Sequence, residues 1–138
     1  MRCAFLPTTF LGPRALAQAA PAGDREAFGQ CSARLDAASA LLLNKLGVLD
    51  AAAAGRRPTT EAERGAVRGA YSHAGETARA VLTSMYELGG STALYESSRL
   101  GKLFRDGHAA TQRAVLSAAH YELAGRTVIG IPGGDPTL

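Results

Sequence analysis

The chain has no tryptophan and two cysteines, and it is short of the β-branched residues that favour strands. With only five Val and two Ile a sheet has little to pack with, whereas the alanine and leucine that dominate the apolar set here are strong helix formers. Cys3 and Cys31 are too few for a disulfide framework and stand outside any metal-ligand spacing, which points to a reduced, cytoplasmic setting. No apolar run approaches the roughly 20 residues needed to cross a bilayer, so no membrane association is expected. An Ala-x-Ala at positions 15–17 has the look of a leader cleavage site, but Pro7, Pro13 and Arg14 interrupt the apolar stretch around it. Concentrated positive charge is lacking too. Fifteen Lys and Arg are interleaved with twelve Asp and Glu for a net charge of +3, without the basic face or stacking aromatics of a nucleic-acid binder. Dinucleotide fingerprint, phosphate loop and nucleophile elbow are all missing, which leaves the chain poorly equipped as a self-contained enzyme.

What is there is helical pattern, over a length of 138 residues that suits one domain. Residues 1–23 carry three prolines and no sustained period, so they read as an irregular arm. From Asp24, the residues Phe28, Cys31, Leu35, Ala38, Leu42, Leu46 and Leu49 recur at steps of three and four, one apolar stripe along a helix ending near Ala54. Gly55 and Pro58 stop it. Thr60 and Glu63 then form a capping box, which starts a second helix whose stripe is Val67, Tyr71, Ala74, Ala78, Val81, Met85 and Leu88. Gly89 and Gly90 end that helix, because glycine takes the left-handed cap conformation without steric cost. Two long helices joined by a short loop lie antiparallel. A polar turn at 91–98 leads to a third helix from Arg99 to Ala114, and Ser117 is placed to cap a fourth running to Val128. Prolines and glycines make 131–138 an irregular tail. The expected architecture is therefore all-α, an up-and-down four-helix bundle over 24–130. Small residues at Ala38, Ala74 and Ala78 permit close helix approach but supply little apolar area, so other chains or domains are expected to cover part of it.

The candidate chemistry lies between Gly89 and Arg126. Arg105, Asp106 and His108 stand together, either orienting an anion and moving a proton or forming an ordinary local ion pair on a solvated surface. His73, His108 and His120 have no metal-site spacing. Glu87 and Glu122 lie near the ends of the second and fourth helices, as bases if buried and as surface glutamates otherwise.

Gly89-Gly90-Ser91, Tyr95, Ser98-Arg99-Leu100, Arg105-Asp106, His108-Ala109-Ala110-Thr111-Gln112, Tyr121-Glu122 and Gly125-Arg126 fall in order over nearly forty residues. In this the chain resembles the C-terminal helical domain of the acyl-CoA dehydrogenase superfamily, most of all the branch that includes two-component flavin-dependent monooxygenases. The resemblance covers about residues 14–130. It implies a bundle that assembles into an oligomer and touches a flavin, FAD or FMN. It places Tyr86, Gly89, Gly90, Ser91 and Arg105 toward the flavin nucleotide, and Arg113 and His108 near its ring as catalytic residues. Two departures from the family pattern bear on the reaction. Ala114 stands where the dehydrogenases carry a glutamate base, so abstraction of a proton beside a thioester has no agent there. Arg113 stands where the oxygenases carry a histidine, and an arginine stabilises an oxyanion but cannot act as a base. The family's N-terminal helical domain and middle β-domain have no counterpart in these residues. The expected partner is a second copy in a homo-oligomer or a partner subunit carrying those domains; oxidoreductase activity is expected only where the missing domains are supplied, and the rival expectation is a non-catalytic helical oligomerisation module.

Overall fold

The computed structural model describes residues 22–131. Among them are four helices and no strand: α1 (Ala22–Ala54), α2 (Glu61–Leu88), α3 (Arg99–Thr111) and α4 (His120–Val128), with 3-10 turns at Gly90–Leu94 and Ala114–Leu116. This is the all-α, four-helix composition read from the sequence. The irregular arm and tail lie outside the described residues, except that Ala22 and Gly23 belong to α1 and Ile131 follows α4.

α1 ends at Ala54, as expected. The left-handed residue just beyond it is Arg56, with φ 48°, and not Gly55. Arg57 N–H donates to the Ala52 carbonyl at 3.1 Å and Arg56 N–H to that of Ala53 at 3.1 Å, the paired bonds of a Schellman cap. The glycine is one position too early to take the strained conformation. At the start of α2 the capping box is formed: Glu63 N–H donates to Thr60 Oγ1 at 3.2 Å, and Thr60 N–H donates to Glu63 Oε2 at 2.8 Å. Arg57 adds a two-pronged ion pair to the same carboxylate, at 2.9 and 2.6 Å. At the far end, Gly89 is right-handed and Gly90 takes the left-handed φ of +53°. Gly89 is glycine for a different reason, since a Cβ there would run into Leu100.

α2 is the middle rod. α1 packs along it through Cys31, Ala38 and Ala52, all buried, with Leu35, Leu42 and Leu49 half-buried, and makes no comparable contact with α3 or α4. On another side, α3, the 3-10 turn and α4 run end to end, back along α2. Successive pairings are Gly89 with Leu100, Leu82 with Gly107, Arg79 with Thr111, Gly75 with Leu116, Gly69 with Ala124 and Gly65 with Thr127. As the first number falls the second rises, so both short helices run antiparallel to α2. Packing on two sides also shifts the buried set. Gly65, Val67, Ala70, Ser72, Gly75, Val81 and Leu82 are buried, whereas Tyr71, Ala74, Ala78 and Met85 of the expected stripe are half-buried and Leu88 is exposed.

With α2 its one neighbour in close packing among the described residues, α1 leaves Leu41 and Leu43 exposed, the second at 68%. By length and composition Asp24–Ala54 passes for a membrane-crossing helix, with an 18-residue window of mean hydropathy 1.3. The sequence reading missed this because it followed a single stripe, whereas Leu41, Leu42 and Leu43 in succession spread apolar surface around the helix.

Candidate functional site

α3 does not continue to Ala114 as expected; it stops at Thr111, and α4 begins at His120. No proline or glycine stands between them. The break is held from α2. Arg79 Nη1 donates to the Thr111 carbonyl at 3.1 Å, capturing an acceptor at the end of α3. Ser72, fully buried, donates its hydroxyl to the Ser117 carbonyl at 2.6 Å. Between these clamps the backbone of Leu116 lies against Gly75, where a Cβ would sit 3.0 Å from the Leu116 carbonyl oxygen and 2.8 Å from its Cβ. His120 Nε2 lies 3.0 Å from the Ala114 carbonyl oxygen, across the break. Ser117 is not the cap that was expected: α4 is preceded by Ala119, which makes no side-chain cap bond, and Ser117 Oγ accepts from Ala119 N–H at 3.3 Å in the turn before it.

The break opens a cleft of about 480 Å³ lined by Arg79, Gln112, Arg113, Ser117 and the apolar edges of Ala114, Leu116 and Ala118. Among the described residues this wall has two guanidinium groups and no carboxylate. Beside it, Tyr121 Oη donates to Glu76 Oε2 at 2.9 Å. Burial first, and then that carboxylate, push the Tyr121 phenol up to about 12.

The expected site residues separate into three places. Arg113 is exposed in the cleft wall. His108 is not in that wall; its ring stacks on Phe104 at 4.4 Å between centroids, and Phe104 stacks on Tyr86 at 4.4 Å. His108 Nε2 is buried and finds no hydrogen-bond partner. Gly89, Gly90 and Ser91 form a corner at the other end of α3, with Gly90 and Ser91 exposed. Arg105 and Asp106 are exposed on α3 between corner and cleft. At 1.5 Å per residue the thirteen residues of α3 separate corner from cleft by roughly 20 Å. Glu87 and Glu122 are both exposed. Among the described residues no group of His, Cys, Asp and Glu stands together as a metal site.

Three contributors escaped the sequence reading: Arg79, Ser72 and Phe104. A signal for the first two was present, because Gly65, Gly69, Ser72 and Gly75 make a row of small residues inside a long helix, where glycine otherwise costs about 1 kcal/mol. Such a row marks the approach of another backbone.

The family model for the acyl-CoA dehydrogenase C-terminal domain matches residues 14–118, most of the chain. The chain belongs to this family. The acyl-CoA dehydrogenase match runs through α1, α2 and α3 into the break, and α4 lies beyond it. No curated protein and no solved structure matches the chain significantly.

Proposed function

We propose that this acyl-CoA dehydrogenase C-terminal domain serves a flavin-dependent oxidoreductase, contributing flavin-binding surface and oligomer contacts while a partner chain or further domain supplies the rest of the site. The family match over 14–118, joined to an all-α fold of the expected order, is the observation that carries this reading. The residues fit a flavin nucleotide on three counts. Gly90 and Ser91 are exposed at a corner where a Cβ on Gly90 would meet nothing within 4 Å, so ligand atoms can approach its backbone. Arg105 is exposed on the same side of the sequence motif and supplies a charge for phosphate oxygens. The orphaned Nε2 of His108 calls for a hydrogen-bonding partner from outside the described residues. An extended dinucleotide suits sites separated along the length of α3 better than a compact ligand does.

A bound flavin supplies the two-electron redox chemistry. The chain's own share is binding, orientation and charge. Gly89, Gly90, Ser91, Tyr86 and Arg105 hold the nucleotide, and Phe104 fixes the rings of Tyr86 and His108. Arg113 stabilises negative charge developing near the ring and stays protonated throughout. Ala114 puts no carboxylate at the family's base position, which favours the monooxygenase branch over thioester dehydrogenation.

The test is flavin binding by the purified full chain, alone and co-expressed with the products of neighbouring reading frames. Quenching of flavin fluorescence by FAD or FMN that is weakened by Arg105→Gln supports the reading. Colourless protein that quenches neither flavin in any combination ends it. The second reading, a helical oligomerisation module, draws on the exposed Leu41 and Leu43 of a helix packed on α2 alone. Leu43→Lys then dissociates the assembly in size-exclusion chromatography with light scattering, and Arg105→Gln changes nothing.

A further inference from the structure

The geometry points to the cleft at the α3–α4 break as a site for the oxyanion of a small ligand, a carboxylate or a phosphate, held between Arg79 and Arg113. The cleft, at about 480 Å³, falls in the range of small-molecule pockets. Among the described residues its wall carries two guanidiniums and no acid, with the Gln112 amide and the Ser117 hydroxyl as neutral polar groups beside them. Arg79 is held in place by its bond to the Thr111 carbonyl, and that bond uses one edge of a fork with five N–H donors. A guanidinium fixed in this manner has less rotamer freedom to lose on binding, and the paired N–H donors of a guanidinium suit the paired oxygens of a carboxylate or phosphate. Glu76, the acid on α2 one turn before Arg79, is engaged by the Tyr121 hydroxyl. The apolar atoms of Ala114, Leu116 and Ala118 supply a surface for the non-polar body of such a ligand. Ser72 and Gly75 hold the break open from beneath, so the cleft is built into the fold.

This inference names the ligand class of the proposed flavoenzyme site, yet it stands or falls on separate measurements. The full chain is titrated at low ionic strength with inorganic phosphate, benzoate, FMN and riboflavin, by calorimetry. Saturable binding of benzoate or phosphate is expected, weakened about tenfold by Arg79→Gln or Arg113→Gln and abolished in the double variant, with Lys102→Gln on the outer side of α3 unchanged. Arg79→Lys, which keeps the charge, distinguishes a lost ligand contact from a loosened break, and retains part of the binding if the site is real. FMN bound in preference to riboflavin, with the same arginine dependence, supports the inference and makes the flavin's own phosphate the occupant. Benzoate or phosphate binding without flavin binding by the chain alone supports it and leaves the flavin reading to the co-expression test. Flavin binding that is indifferent to both arginines, together with no small-oxyanion binding, overturns the inference and leaves the flavin reading standing. Equal weakening by Lys102→Gln also overturns it, since the attraction is then only diffuse charge.

Discussion

Two junctions interrupt the helices of this domain, and they are made in opposite ways. The six residues between α1 and α2 carry their own instructions: a Schellman cap, a proline, and a threonine three residues ahead of a glutamate, with an arginine across the turn. The eight residues between α3 and α4, Gln112 to Ala119, carry almost none. They include Gln, Arg, Ala and Leu, all good helix formers, and the helix is broken there by groups on another rod. The first junction is local and polar, built from exposed or half-buried residues. The second is tertiary and seated on α2 from below, and it opens the cleft of about 480 Å³ that holds Arg79 and Arg113, whereas Thr60 of the first lines one of about 310 Å³ with no basic side chain among its described residues.

The widest gap between the two is expected on crowding α2. Gly75→Leu forces a side chain into the Leu116 backbone, and destabilisation by about 3 kcal/mol is expected, as for an overpacked core. Urea denaturation followed by circular dichroism measures it. A loss below about 0.5 kcal/mol, the range of an ordinary surface substitution, means the break is not seated on Gly75.

Next in size is the clamp itself. Ser72→Ala removes the donor to the Ser117 carbonyl in a buried setting, and a cost of about 1 to 2 kcal/mol is expected. Amide exchange between 112 and 119 sharpens the test. If the clamp holds the break, those amides lose protection in Ser72→Ala while the amides of 55–63 keep theirs.

This contrast also explains what was legible beforehand. α1 and α2, their lengths and the capping box at Thr60 could be read because each depends on residues within a few positions of one another. The family motif from Gly89 to Gln112 could be read for a similar reason, being an ordered string; its members at Tyr121-Glu122 and Gly125-Arg126 lie beyond the matched residues 14–118. The end of α3 at Thr111 could not, since it depends on Arg79 at a separation of 32 residues, and the sequence there reads as uninterrupted helix. His108 shows the same limit in the candidate site. Its place in the motif was visible, but its stack on Phe104 and its separation from the cleft that holds Arg113 are properties of packing. At the local junction the stop at Ala54 could be read, but not that the left-handed position is misplaced onto Arg56, one residue past Gly55.

That misplacement yields a smaller prediction of the opposite sign. Arg56 adopts a left-handed φ that costs a non-glycine residue free energy, and its N–H bonds are made by backbone alone. Arg56→Gly is therefore expected to stabilise the domain by about 0.5 to 1 kcal/mol at the first junction and to leave exchange at the second unaltered. A drop in the urea midpoint means that the arginine side chain contributes more than its backbone strain costs.

The finest comparison is by pH, because the two junctions hold titratable groups shifted in opposite directions. Arg57, followed by the Thr60 amide, holds the Glu63 carboxyl down at about 2, against about 4.3 for an unperturbed glutamate. Between those values the unfolded chain binds the proton and the folded one does not, so stability rises with pH there. The contribution of Glu63 is complete above about pH 5 and is lost as pH falls through about 2. Tyr121 behaves in reverse. Its phenol is pushed up to about 12 from about 10, the folded chain keeps its proton longer, and its contribution is full below pH 10 and lost as pH rises through about 12. Exchange protection should therefore fail first at 55–63 in acid, whereas absorbance and denaturation in alkali should report the α3–α4 side. Glu63→Gln flattens the acid slope and leaves the alkaline one unchanged; Tyr121→Phe does the opposite. A single variant that flattened both would show the junctions to be one cooperative unit, and the division between local and imposed breaks would then have no consequence for stability.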